Sequence, residues 1–583
     1  MFLPTTRDEM TKLGWDRCDV ILISGDTYID SPFIGVAVIG KALWKAGFRV
    51  GIIAQPDVNS RDDLVRLGGP ELFWGVTGGS TDSMIANYTA TLKKRRDDDY
   101  TPGVMNNRRP DRAVIVYANL IRRYFKNAVP IVLGGIEASL RRIAHYDYWS
   151  DSIRRSILFD AKADGLVYGM GERTVVELAR RLRDGEETAS LRGYCTIEKK
   201  CPDSALELPA WEEVQNSPGR FIDMFRLFYE NTDPITGTRL CQRHGDRYVV
   251  QNPPPPCETE DEMDRIYNMD YERAVHPWYR RKGAVRALET IRFAVPTHRG
   301  CYGECRFCAV ALHEGRTVRW RSQASILNEA RRLIRHKDFK GNILDLCGPT
   351  ANMYAIECKK KLDRGACADK RCLFPEPCPS LHIDHSRQRN LLAALRNLPG
   401  IKKIFLASAV RFDMILQDRK EGMNYLKDVV YNHVSGQMKI APEHSEEAVL
   451  TVMGKPPCGD GLLRFRDSFH RLTKAAGKKQ YLTYYLMAAH PGCDDGHMAR
   501  LRDFTREELH MKPEQVQIFI PAPGTWSAVM YHAETNPFTG EKLFVEKNMI
   551  RKNHQKELIT AAMPSSPSAR KPRPKGSKKS RRP

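Results

Sequence analysis

Three cysteines in one short loop carry the clearest chemistry in this chain of 583 residues. Cys301, Cys305 and Cys308 are spaced Cys-x3-Cys-x2-Cys within THRGCYGECRFCAVALHEGR. Three thiolates on a short glycine-containing loop can cap three irons of a [4Fe–4S] cluster. A closed electron-transfer cluster takes four cysteines, so a local set of three leaves one iron open to a small molecule. Spacing alone also admits a zinc site completed by His298 or His313, since zinc accepts three thiolates and one imidazole, and an ordinary cysteine-rich turn. The strand expected just before the loop, Phe307 ahead of the last cysteine and the strand–helix alternation that follows favour iron–sulfur.

A second thiol group follows at Cys358, Cys367, Cys372 and Cys378, with His382 and His385 just beyond. These four cysteines lie in a proline-rich insert with little apolar content, which suits a zinc or auxiliary iron–sulfur staple. Unmetallated thiols in an irregular insert are the alternative. The chain has fifteen cysteines, an odd number, unevenly clustered. With the cytosol as default compartment, they read as ligands, reactive groups or core residues before disulfides.

The elements that must position the first loop begin with a strand expected at Ile291–Val295. Further strands are expected at Gly341–Leu346, Lys403–Ala407, Gly436–Ile440, Tyr481–Ala488 and Gln515–Phe519, and a helix at Ser322–His336. Six parallel strands, each followed by a helix, make a partial TIM-like (β/α)6 barrel over 284–535, with its chemistry on the carboxyl-end loops. Upstream, residues 1–194 alternate short β-branched runs with helical spacing: Asp19–Ser24, Arg49–Ala54, Ala113–Tyr117, Pro130–Leu133 and Leu166–Tyr168 as strands, Gly35–Ala46 and Arg173–Leu182 as helices. That predicts an α/β domain with a parallel, Rossmann-like sheet. Glycines follow several of the strands (Gly25, Gly134, Gly135, Gly169, Gly171), where the backbone can approach a ligand. No GxGxxG follows a strand, so a dinucleotide is poorly supported. Residues 195–283 lose the alternation and include the run Pro253–Pro256, which predicts a linker or irregular subdomain. A C-terminal extension spans 536–563 and a basic tail 564–583.

Lys plus Arg number 92 against 71 Asp plus Glu, a formal charge of +21; the tail holds eight of the basic residues and no acid, leaving the rest moderately basic at +13. The tail has no apolar periodicity and is expected to be disordered, either an RNA tether through phosphate neutralisation or a solubilising end. Hydrophobic residues at 42% exclude wholesale disorder. No apolar run reaches the roughly 18 residues of a spanning helix, and the start lacks a secretory pattern. A cytoplasmic protein without a membrane partner is therefore expected.

The cysteine loop resembles that of the radical S-adenosylmethionine superfamily. The resemblance implies that the cofactor's methionine amino and carboxylate groups chelate the open iron. One electron then cleaves its sulfonium, and the resulting 5′-deoxyadenosyl radical abstracts a substrate hydrogen. Superfamily members place a glycine-rich loop after the second strand, and Gly348, Pro349 and Thr350 occupy that place here without the usual glutamate. Ser408 and Arg411 follow the strand Lys403–Ala407, where ribose and carboxylate contacts often lie. Glu443, in KIAPEHSE, is the residue implied after the next strand, and IFIPAPGTWSAVMY is similar to the barrel end of methylthiotransferase-type members. GDTYIDSP, LGGIEASLRRIAHYDYWSDSIRRSIL, QRHGDRYVVQNPP, RGCYGECRFC, GPTANMY and KIAPEHSEEAVL resemble the YgiQ-type family of radical enzymes over nearly the whole chain before the tail.

The N-terminal domain is also similar to cobalamin-binding domains, in PIVLGGIEAS and DGLVYGMGERTVVEL. Cobalt ligation there commonly uses a histidine in Asp-x-His-x-x-Gly. The comparable GDTYIDSPFIG has none, so cobalamin is not expected and a cofactor-free domain shaping the substrate entrance is. His145, among Tyr146, Asp147, Tyr148 and Trp149, reads as a packed loop residue. An external flavodoxin- or ferredoxin-like electron donor is implied. The substrate expected is a macromolecule, RNA or protein, with a small metabolite close behind. A metal-stapled RNA-binding protein without turnover is the reading from another class.

Overall fold

A computed structural model describes residues 1–514 and 516–560. The N-terminal half is built on one nine-stranded sheet. Its parallel centre runs, in spatial order, Gly165–Val167, Ile131–Gly134, Phe73–Thr77, Val20–Ser24 and Val50–Ala54. Side chains along these strands alternate between two apolar layers. Val20, Leu22, Ile52, Phe73 and Val132 pack towards the helices Gly35–Lys45 and Glu172–Asp184. Ile21, Ile23, Ile53, Trp74 and Ile131 pack towards the helix Ala113–Tyr124. A sheet covered on both faces needs apolar residues at every position, which is why its strands read as unbroken runs such as VILIS and VGIIA.

Two expectations change here. The run AVIVY is the start of the helix Ala113–Tyr124, not a strand. Its apolar residues Ala113, Val114, Tyr117, Ala118 and Ile121 meet the sheet at helical spacing, and that burial overrides the β preference of a valine–isoleucine run. The strand at that place in the sheet is Phe73–Thr77, hidden in the sequence by its central Gly75. The stretch expected as an irregular linker over 195–283 instead extends the sheet. Tyr194–Glu198, Leu206–Leu208, Leu240–His244 and Arg247–Gln251 add four edge strands through mostly antiparallel pairing. Cys201 and Cys241 form a disulfide within this extension, so one pair of the fifteen cysteines departs from the expectation of ligands and core thiols.

In the C-terminal half, parallel pairings follow chain order. Ala294–Pro296 pairs with Asp345–Cys347, Asn342–Ile343 with Lys403–Ile404, and Gln437–Glu443 with Tyr481–Ala488, which pairs with Gln517–Ile518. The Val410–Ile440 bridge joins the third and fourth of these segments. Helices Gln323–Ile334, Ser386–Arg396 and Gly459–Ala475 cover the strands around one core. The register slips between Ile440 and Glu443, where Ala441 and Pro442 interrupt the ladder. Such a bulge re-aims the next side chain, and Glu443 takes a positive φ of 68° there. No helix among the described residues is long and apolar enough to cross a membrane. The basic tail 564–583, and the end of the extension beyond 560, lie outside the described residues.

Candidate active site

The cysteine loop leaves the short strand His298–Arg299 and returns through Arg319–Trp320, its antiparallel partner. Gly303 lies between the first two thiols, and its backbone N–H donates to Cys301 Sγ at 3.3 Å. A Cβ on Gly303 would stand 3.3 Å from Cys301 Sγ, 3.6 Å from Cys305 Sγ and 3.1 Å from Arg411 Nη1. The bare backbone therefore leaves a cradle faced by two thiols and one guanidinium. Burial, and then the neighbouring Cys305, push the Cys301 thiol up. The same causes push Cys308 up to about 12. Thiols raised in this way need a counter-charge beside them to bind as thiolates, which the irons of an iron–sulfur cluster would provide. The donor set fits that group. Among the described residues, no three His, Cys, Asp or Glu side chains converge as the donors of one metal ion would. A four-iron cube does not ask this of its thiolates, since each caps a separate corner.

The residues expected around the cofactor largely assemble here. Thr350 Oγ1 lies 3.7 Å from Cys301 Sγ. Arg411 is fixed by Asp413, whose Oδ1 accepts from its Nε at 2.9 Å, and its backbone N–H donates to Asn352 Oδ1 at 2.8 Å. Ser408 Oγ donates to Asp345 Oδ2 at 2.6 Å, which turns the hydroxyl back onto the strand carrying the Gly348 loop. Gly348 packs on His298, and a Cβ there would stand 2.2 Å from the ring. Glu443 is ion-paired with Lys455 Nζ at 3.4 Å and is close enough to Cys308 to raise that thiol.

Sequence reasoning missed the clamp behind the loop. Glu304, between the first two cysteines, has φ of 43° and a side chain 2% exposed. Its Oε1 faces Lys361 Nζ at 3.0 Å, and its Oε2 accepts from Arg316 Nε at 2.8 Å and the Tyr229 hydroxyl at 3.0 Å. Its carbonyl accepts from Arg371 Nη1 at 2.5 Å. Burial would raise this carboxyl, but Lys361, Arg316 and Arg371 outweigh it and hold it down at about 2. Lys361 and Arg371 come from the insert that carries the second thiol group. An acid inside the cysteine motif, GECRFC, was the available signal. The insert's own thiols are spread along this contact. Cys358 donates its backbone N–H to Tyr302 of the cluster loop at 3.3 Å, Cys372 Sγ lies 3.7 Å from Lys361 Nζ, and Cys378 and Cys372 pair through their backbones. Cys367 follows directly on Ala366, whose N–H donates to Asp233. His145 is buried on the strand His145–Asp147, its Nδ1 against the Ile143 carbonyl, away from the cysteine loop.

Between this loop and the N-terminal sheet lies a cavity of about 650 Å3. It reaches from the carboxyl ends of the strands, at Ser24, Thr77, Gly134 and Gly169, to Asp345, Gly348, Pro349 and Ser408. Gly135, with φ of 77°, keeps the sheet edge open, since a Cβ there would meet Thr77 Oγ1 at 2.3 Å. A buried pair joins the two halves across the cavity, Arg299 Nη2 to Glu172 Oε1 at 2.6 Å.

Residues 2–294 match the family described as Radical SAM N-terminal. The UPF0313 protein FN0734 of Fusobacterium nucleatum is 54% identical over 96% of this chain and 98% of its own length. A UPF0313 protein of Thermotoga maritima is 46% identical over the same shares. Two solved structures are similar in fold. The radical S-adenosylmethionine methyltransferase TsrM from Kitasatospora setae, with cobalamin and a [4Fe–4S] cluster bound, matches 87% of this chain and 76% of its own at 14% identity and a TM-score of 0.49. The cobalamin-dependent S-adenosylmethionine radical enzyme OxsB, with aqua-cobalamin bound, matches 84% and 52% at 13% identity and a TM-score of 0.49. Both of these proteins are described with cobalamin, against the expectation of none here. The missing histidine in GDTYIDSPFIG was too narrow a ground for that expectation.

Proposed function

Because this chain belongs to the UPF0313 family, of the YgiQ type, within the radical S-adenosylmethionine superfamily, we propose that it is an enzyme in which Cys301, Cys305 and Cys308 hold a [4Fe–4S] cluster. A cluster so held would supply the electron for reductive cleavage of S-adenosylmethionine. The observation that carries the reading is the Gly303 cradle, with two thiols and Arg411 converging on a position that a single methyl would fill.

The chain's own residues have distinct tasks. Gly348 and Pro349 line the cavity, and its side of the cluster loop is where the cofactor's amino acid end is received. Arg411, locked by Asp413, presents a fixed cation beside the thiols. Ser408 and Asp345 form one hydrogen-bonded unit on the cavity wall, suited to a ribose hydroxyl. The electron comes from an external flavodoxin- or ferredoxin-like donor.

Anaerobic reconstitution with iron and sulfide tests this. The wild-type protein should bind four irons per chain at this trio, show a reducible cluster by electron paramagnetic resonance, and release 5′-deoxyadenosine from S-adenosylmethionine with dithionite. Cys305→Ala should abolish both signals. A protein that takes up stoichiometric zinc, binds RNA tightly and releases no 5′-deoxyadenosine would be the RNA-binding module instead.

A further inference from the structure

The cavity is lined on its N-terminal side by apolar side chains, among them Leu22, Ile34, Phe73, Val76, Val132 and Val175. Polar groups stand at the strand ends, among them Ser24, Asp26 and Thr77, and on the wall formed by Glu172, His298, Arg299 and His313, where several are unsatisfied. Glu172 Oε2, His298 Nε2, His313 Nδ1 and Arg299 Nη1 have no hydrogen-bond partner among the described residues, although each is buried in the wall. Buried polar atoms in native proteins are nearly always partnered, so a group of orphans on one cavity wall marks where a ligand supplies the partners. Glu172 pairs with Arg299 through its other oxygen, which leaves Oε2 facing no partner.

Charge narrows the ligand further. Asp26, Glu172, Glu314 and Asp345 line the cavity with one guanidinium, Arg299; Glu172 is paired with Arg299 and Asp26 with Arg109 behind the wall, while burial pushes the Glu314 and Asp345 carboxyls up. No lysine and no second arginine lines it. A phosphate entering this space would leave water for a largely apolar enclosure without a free side-chain cation, which is strongly unfavourable.

We propose that this cavity binds the enzyme's substrate, and that the substrate is a largely apolar small molecule with a hydrogen-bond-donating, uncharged or cationic head group directed at Glu172 and His298. A nucleotide or RNA phosphodiester is excluded from it. This rests on the radical-enzyme reading and replaces the macromolecule anticipated from the chain's basic balance. Among the described residues, Arg299 is the one Lys or Arg side chain lining this cavity.

Displacement of Nile red, a neutral apolar dye, from the reconstituted enzyme tests the proposal. Decylamine and decyl phosphate share one chain and differ in the head. Decylamine should displace the dye at least tenfold more effectively, and Glu172→Gln should shrink that preference several-fold. Val132→Trp, which fills the apolar end away from the cofactor loop, should weaken dye binding about tenfold with binding of radiolabelled S-adenosylmethionine unchanged. Equal or better displacement by decyl phosphate, or displacement by bulk transfer RNA, overturns the proposal, as does indifference to Val132→Trp in a folded variant. Should Val132→Trp fail to fold, the isosteric Glu172→Gln arm decides. If the radical reading alone fails, 5′-deoxyadenosine is absent while the amine preference stands.

Discussion

The cluster loop and the cavity wall are neighbours in the fold, yet they handle their buried acids differently. Behind the loop the acids are answered on both sides: Glu304 meets Lys361 and Arg316 through both oxygens, Arg411 meets Asp413, and Glu443 meets Lys455, with Arg306 Nε the exception that stays buried without a partner. At the cavity, Glu172, Arg299, His298 and His313 each keep an atom without a partner. A fully satisfied network rigidifies what it holds, whereas an incomplete one is a site awaiting a ligand. The difference separates scaffold from binding surface in residues that are equally buried.

The largest effect is expected on the scaffold side. Glu304→Ala removes the only carboxylate facing Lys361 and Arg316 in that clamp and leaves two buried cations. Losing one partner of such a pair costs about 3–5 kcal/mol. The loop should lose its left-handed turn at the same time, so iron retained per chain after reconstitution should fall well below wild type, with a lower urea midpoint. Glu304→Gln keeps the shape and should retain more iron than the alanine variant. Equal iron in all three proteins would show that the thiols alone set the loop and would dissolve the comparison.

A smaller effect is expected at the sheet edge. Gly135→Ala places a methyl against Thr77 at a positive φ, a strain of about 1–3 kcal/mol. It should lower the thermal midpoint modestly and weaken Nile red binding, while iron content stays at the wild-type level. If iron is lost as well, the two regions are mechanically one.

What the sequence made legible follows the same division. The thiol trio, the Gly348 loop and the strand Tyr481–Ala488 are local patterns, and each could be read within about ten residues. The clamp and the cavity are tertiary. Glu304 and Lys361 are 57 residues apart, and Glu172 and Arg299 are 127 apart. Neither pairing has a periodicity to announce it. The extension over Tyr194–Gln251 was illegible for a different reason: its strands lie at the sheet edge and mix buried with exposed residues, so they lack the unbroken apolar runs of the centre. The cobalamin expectation shows the opposite fault. One absent histidine in GDTYIDSPFIG was given the weight of a whole binding site.

The finest separation of the two regions comes from mild acid. Glu304 is held down at about 2, so its folded form is still ionised at pH 5.5 and the clamp keeps its full contribution there. His298 is different. Burial lowers it to about 4, against 6.5 for an ordinary imidazole. Between those values the unfolded chain binds the proton and the folded chain does not, so stability falls as pH falls. At pH 5.5 the loss is roughly 1.4 kcal/mol for this one group. Other buried histidines add to the total, so the contrast has to be read from a variant. His298→Gln should lose about 1.4 kcal/mol less than wild type in urea denaturation between pH 7.5 and 5.5, whereas Glu304→Gln should track the wild type over the same interval.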